Sequence, residues 1–109
     1  MPKTIAPWTA SYDPALAVRA YESVTPGDVD PDNPGWRWVT AASGLGGWVP
    51  DQLLAGARVL HDFDTRELTA PQGADVQILE RRIGWAWVVD TQGRSGWVPE
   101  HVFAEADLT

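Results

Sequence analysis

The chain has 109 residues, 44% of them hydrophobic, and a net charge of −7. That length holds one ordinary domain or two very small ones, and the apolar content is too high for a disordered chain. The acidic balance excludes a basic face for nucleic acid or anionic lipid, and the lack of cysteine excludes disulfides and thiolate metal sites.

In chain order, the first segment is "MPKTIAPWTASYDP", with one Lys and no long apolar run. It does not read as a secretory leader, and no stretch approaches a membrane span, so a cytoplasmic location without a membrane partner is expected. Trp8 lies in this Pro-flanked segment and is expected to pack down and complete the first repeat. "LAVRAYESVT" from Leu16 is followed by the acidic loop "GDVDPDNPGW", which carries Asp28, Asp30 and Asp32. That loop lacks the twelve-residue calcium pattern and reads as solvated. "GWRWV", "GLGGWVP", "ADVQILE", "GWAWVVD" and "GRSGWVP" are short β-branched and aromatic runs bounded by Gly and Pro, which predicts strands. "DTQGRSG" predicts a hairpin connection with Gly93 at positive φ. "PDQLL" and "PEHVF" predict single 3-10 turns, because Pro suits a turn start.

The chain also repeats itself. Gly35–Leu54 lies over Gly84–Phe103 at an offset of 49, with nine of twenty positions identical. Upstream, Leu16 can be laid over Leu68 at an offset of 52, and the first copy then has three extra residues in its acidic loop. Only Ala55-Gly56 separates the copies, which is too short for a flexible linker, so the copies are expected to abut. Along a strand Trp85 and Trp87 share one face while Ala86 and Val88 share the other. The small and β-branched pair suits the inside of a narrow barrel. Arg37 stands where Ala86 stands in the second copy, which is awkward for a core position.

"VLHDF" (59–63), "GADVQILE", "GWAWV" and "GRSGWVPEHVF" together resemble the Src homology 3 (SH3) family over residues 57–104. The first copy is similar from Gly35 to Leu54. The whole chain resembles bacterial tandem proteins built from two variant SH3-like domains. The resemblance implies an all-β fold of two tandem SH3-like small β-barrels packed against each other with short 3-10 turns, divided as 1–55 and 57–109. It also implies a groove for Pro-rich peptide in the polyproline II conformation. Carried over, Trp85, Trp97, Pro99 and Phe63 line one groove, with Asp64 and Glu67 supplying acid for a ligand Arg or Lys. Trp36, Trp48 and Pro50 line the other. His61 and Val102 stand where the family carries tyrosines.

Within this reading Trp36 and Trp85 are expected in exposed grooves, and Trp38 and Trp87 between the repeats. His61 and His101 have no further ligands at metal spacing, so no metal or cofactor is expected. No nucleophile elbow, phosphate loop or zinc motif is present, so an enzyme is not expected. The expected function is an adaptor that binds Pro-rich, basic peptide segments of a protein partner. The alternatives are a structural subunit whose aromatic surface is a homodimer or enzyme-subunit interface, and a cell-wall-peptide-binding module.

Overall fold

Ten Gly and nine Pro in 109 residues leave no room for long helices, and the strands are correspondingly short. The computed structural model describes residues 2–108 and is all-β, with no α-helix among them. The strands are β1 (Ala17–Val18), β2 (Thr25–Val29), β3 (Trp36–Thr40), β4 (Gly46–Pro50), β5 (Leu54–Ala55), β6 (Arg58–Val59), β7 (Phe63–Asp64), β8 (Val76–Arg82), β9 (Trp85–Asp90) and β10 (Ser95–Pro99). Single 3-10 turns follow Pro50 and Pro99, as the sequence predicts, and another spans Glu105–Leu108. No helix is long and apolar enough to cross a membrane.

The strands fall into two compact units, Pro14–Thr65 and a second made of Met1–Asp13 with Arg66–Thr109. In the first, β2, β3 and β4 form an antiparallel meander with Trp36 opposite Pro50 and Trp38 opposite Trp48. Two short pairs, β1 with β7 and β5 with β6, accompany it. Val39, Val49 and Val59 are fully buried, with Leu16, Val18 and Leu53 nearly so. Arg37 avoids the core. It is half-buried, its Nε donates to Asp51 Oδ1 at 2.6 Å, and its guanidinium reaches the Gly27 carbonyl at 2.8 Å.

The second unit repeats this plan with β8, β9 and β10. Leu68, Val76, Ala86, Val88, Val98, Val102 and Phe103 form its core, with Trp8, Ile78 and Leu108 packed against it. Ala86 and Val88 point inward and Trp85 and Trp87 do not, as strand alternation requires. The β9–β10 turn has Gly93 at φ +81°, and Asp90 Oδ1 accepts the backbone N–H groups of Gln92 and Arg94. The β8–β9 connection is a two-residue turn, Ile83-Gly84, with φ of +48° and +85°. Both positive values mark the turn that Asn-Gly favours, so a β-branched Ile there is strained.

The unit boundaries differ from the expected 1–55 and 57–109. Residues 57–64, expected to open the second domain, belong to the first unit. β6 folds back on β5 through a tight turn at Gly56, φ +62°, and β7 pairs with β1. The two-residue turn after β5 returns β6 onto its own hairpin partner, and its other side bridges Ser23 of the same unit. Residues 2–8, and Trp8 with them, belong to the second unit and not the first. Lys3 bridges Asp75, Thr4 bridges Phe103 and Trp8 bridges Ala70. The offset of 52 that lays Leu16 over Leu68 also lays Pro14 over Arg66, and those are the residues where the main segments of the two units begin.

Gly96 is a contact position and not a turn position. A Cβ there would lie 2.7 Å from the backbone of Glu67 and Leu68. Gly96→Ala should therefore cost about 2 kcal/mol, because rigid backbone must move, whereas Gly44→Ala, facing open space, should cost about 1 kcal/mol of positive-φ strain. Chemical denaturation of the two variants compares them directly. Ile83→Asn should go the other way and raise stability by about 1 kcal/mol, which the same titration reads.

Candidate aromatic binding surfaces

The hairpins of each unit carry two Trp on one strand and one on the next, and register decides which of them meet. Trp38 stands opposite Trp48 with ring centroids 5.1 Å apart at 75°, and Trp87 opposite Trp97 at 5.3 Å and 72°. These edge-to-face pairs each belong to one unit, and they are the partners found for Trp38 and Trp87, for which packing between the repeats was expected. The Trp38 ring lies across Gly46, whose added Cβ would meet it at 2.2 Å. The Arg66 guanidinium sits 5.5 Å from the Trp87 ring centre, a cation–π contact.

The remaining Trp, one per hairpin pair, meets an aromatic from outside the hairpins. In the first unit Trp36 packs on Phe63, centroids 6.3 Å apart. They are 5% and 8% exposed, and Pro50 is buried beside them in register with Trp36. Of the groove expected around Trp36, Trp48 and Pro50, Trp36 and Pro50 are therefore core, and so is Phe63, expected in the other groove. Trp48 and Asp64 remain half-buried. In the second unit Trp85 meets Trp8 at 5.6 Å and 81°, and Trp8 meets His101 at 6.1 Å and 76°. Both Trp are half-buried and His101 is exposed, so this cluster keeps aromatic surface in contact with solvent. Pro99 and Trp97, also expected to line it, are buried, Trp97 to 5%.

Glu67 fixes this cluster. Its Oε1 accepts Trp8 Nε1–H at 2.9 Å, the Ser11 backbone N–H at 3.1 Å and the Ser11 hydroxyl at 3.0 Å. Its backbone forms an isolated parallel bridge with Trp97. An acid expected to bind a ligand cation thus holds an indole in place, leaving the ring faces to make contacts. Glu67, Trp85 and the buried Trp97 and Pro99 fall in one unit, while Phe63 and Asp64 fall in the other, with Trp36, Trp48 and Pro50. Trp8 and His101 were not expected at a site. The signal for Trp8 was in the sequence: Lys3-Thr4-Ile5 and Trp8 align with Arg58-Val59-Leu60 and Phe63 at an offset of 55.

Several charged groups elsewhere bond within their own unit. Asp30 accepts the Asp32 backbone N–H and the Asn33 side-chain amide, so the acidic loop is closed on itself. No cluster of His, Asp or Glu suited to a metal occurs among the described residues. The Lys3 ammonium, hydrogen-bonded to Asp75 at 2.7 Å, holds that carboxyl below its ordinary value. At Asp90 desolvation pushes the value up but is outweighed by the hydrogen bonds from Arg94 and Gln92, so it too is lowered. Comparison with protein-family models, with characterised proteins and with solved structures finds no match.

These burials separate two otherwise equivalent Trp. Acrylamide quenching of intrinsic fluorescence should lose a quenchable component in Trp85→Phe. In Trp36→Phe the quenchable component should be retained and the melting temperature should fall, since Trp36 is core.

Proposed function

We propose that the chain is a non-catalytic protein-interaction module of the SH3-like kind, and that it takes an extended, Pro-rich, basic peptide segment on the Trp8–Trp85–His101 surface of the second unit. The observation that carries this reading is the pair of half-buried indoles set edge to face beside an exposed imidazole. Rigid aromatic surface of this kind suits Pro rings, which lose little entropy on binding because the polyproline II backbone is already formed. The net charge of −7 favours a ligand that also carries Arg or Lys. The carboxylate of Glu67 adds to that field while its hydrogen bonds keep Trp8 from collapsing onto the surface. On this reading the first unit is a structural copy, since its equivalent Trp36 and Phe63 are buried.

The test is an array of Pro-rich peptides with and without Arg or Lys, followed by titration calorimetry on the best binder. Trp85→Ala should weaken binding at least about tenfold, as loss of a central aromatic anchor does. Leu79→Ala, an exposed position on the same unit, should leave affinity unchanged. No binding to any Pro-rich basic peptide, or equal affinity for Trp85→Ala, would sink the proposal.

A further inference from the structure

Each unit pairs with a segment that does not belong to its own copy of the sequence repeat. Counting the copies as arm plus body, the first is 2–9 followed by 14–54 and the second is 57–64 followed by 66–103. In the structure the arms are crossed. Body 14–54 takes arm 57–64, through Ser23 bridging Arg58, Leu54 opposite Val59 and Val18 opposite Phe63. Body 66–103 takes arm 2–9 through the equivalent positions, with Asp75 bridging Lys3, Phe103 bridging Thr4 and Ala70 bridging Trp8. The backbone bonds match as well. Val24 N–H donates to Ala57 O and Val76 N–H to Pro2 O, while Tyr21 N–H donates to Val59 O and Gly73 N–H to Thr4 O.

The two arms are also chemically alike at each of these positions. Lys3 and Arg58 are cations, Thr4 and Val59 are buried and β-branched, Ile5 and Leu60 are exposed aliphatics, and Trp8 and Phe63 are the aromatics that meet the hairpin Trp. The two seams therefore meet their arms in the same register and with the same side-chain pattern. The two arms differ in how they are tied. Arm 57–64 is bound to its body by the tight turn at Gly56. Arm 2–9 reaches its body with no such turn. Beyond it Ser11, Tyr12, Asp13 and Pro14 are exposed, and three hydrogen bonds to Thr69 and Glu67 hold Ala10 and Ser11.

We infer that the seam along Ala70–Val76 and Phe103 is a strand-accepting interaction site whose partner is residues 2–9 of a second copy of this chain, so that copies associate by exchanging arms. An exchanged arm makes the same backbone bonds, the same Lys3–Asp75 pair and the same Trp8–Trp85 contact as the arm in place. Association then adds few new contacts and is governed by concentration. Closure within one chain wins at low concentration through the high effective concentration of a tethered arm, and exchange between chains gains as the protein approaches that value. This inference is independent of peptide binding at the Trp8–Trp85–His101 surface, because an exchanged arm rebuilds that surface intact.

The absence of cysteine makes the test direct. Lys3 and Asp75 form a non-hydrogen-bonded antiparallel pair, since Val76 N–H to Pro2 O and Thr4 N–H to Ala74 O flank it, and such pairs bring Cα atoms to about 4.5 Å, within disulfide range. Their side chains are 63% and 41% exposed, so replacing them leaves the core untouched. Lys3→Cys and Asp75→Cys single variants of the full chain are mixed, concentrated, equilibrated and oxidised, and the mixed disulfide is measured by mass spectrometry. Lys3→Cys with Glu80→Cys, an exposed position on β8 away from the seam, is the control.

The mixed Lys3→Cys/Asp75→Cys disulfide should exceed the control about tenfold and grow with protein concentration. The Lys3→Cys/Asp75→Cys double variant at low concentration should form the same bond within one chain. A yield equal to the control, with that intrachain bond formed, would overturn exchange while leaving the seam intact. Failure of the intrachain bond in a folded double variant would overturn the seam itself. Sedimentation velocity of the unmodified chain gives a second reading, a dimer fraction that rises with concentration, and a monomer at every concentration would count against exchange.

Discussion

The close approach of Gly96 to the backbone of Glu67 and Leu68 is the contact on which the second unit depends. With no side chain in the way, Trp97 N–H can donate to Arg66 O while Trp97 O accepts from Leu68 N–H. That pairing puts Leu68 in the core and brings Glu67 beside the last strand. Glu67 is then in reach of Trp8 Nε1, and Trp8 in turn meets Trp85. A larger residue at 96 would push these two strands apart and disturb the core, the arm and the aromatic surface together. Gly47 makes a similar close approach in the first unit, to the Thr65 side chain and the Cβ of Leu16.

The sequence carried the hairpins, the turns after Pro50 and Pro99, the inward Ala86 and Val88, and the twofold repeat, because each follows from local rules of alternation, turn chemistry and proline. It carried the unit boundaries only in part. The resemblance of "VLHDF" to the opening of an SH3 domain draws the boundary to residue 57, whereas the fainter alignment of Leu16 with Leu68 begins where the units do. The difference turned on Ala55-Gly56, which reads as a link between domains but acts as the turn of a hairpin. Strand pairing across such a link depends on which edge lies nearest in space, and periodicity does not encode it. The same reading sets Phe63 beside Trp85 and Trp8 in the first copy, whereas in the structure Trp85 meets Trp8 and Phe63 meets Trp36.

The awkward Arg37 shows how two copies can reach one arrangement by different residues. Arg37 lies opposite Val29 in the first unit, and the equivalent pair in the second is Ala86 opposite Arg81. The cation has moved to the neighbouring strand, yet it meets the same partner, the acid that follows the strand-ending Pro. Arg37 binds Asp51 and Arg81 binds Glu100. A partly exposed pair of this kind contributes about 0–1 kcal/mol, so neither is a strong stabiliser. Each ties the 3-10 turn to the sheet, and the last buried residue of each turn, Leu53 or Val102, belongs to its unit's core.

The two units differ in burial where the arm aromatic meets the hairpin Trp. The backbone plan is common to both, down to equivalent bridges and equivalent carbonyl acceptors. Yet Phe63 and Trp36 are buried, while the larger Trp8, held by its indole N–H, stands with Trp85 half in solvent beside His101. A second Trp is a costly choice for an arm whose only task is closure, because its N–H needs a partner when it is buried. Here Glu67 and Ser11 are committed to holding that ring in a partly wet position. The buried Phe63 of the first unit offers no such surface, so the peptide reading proposed above rests on the second unit.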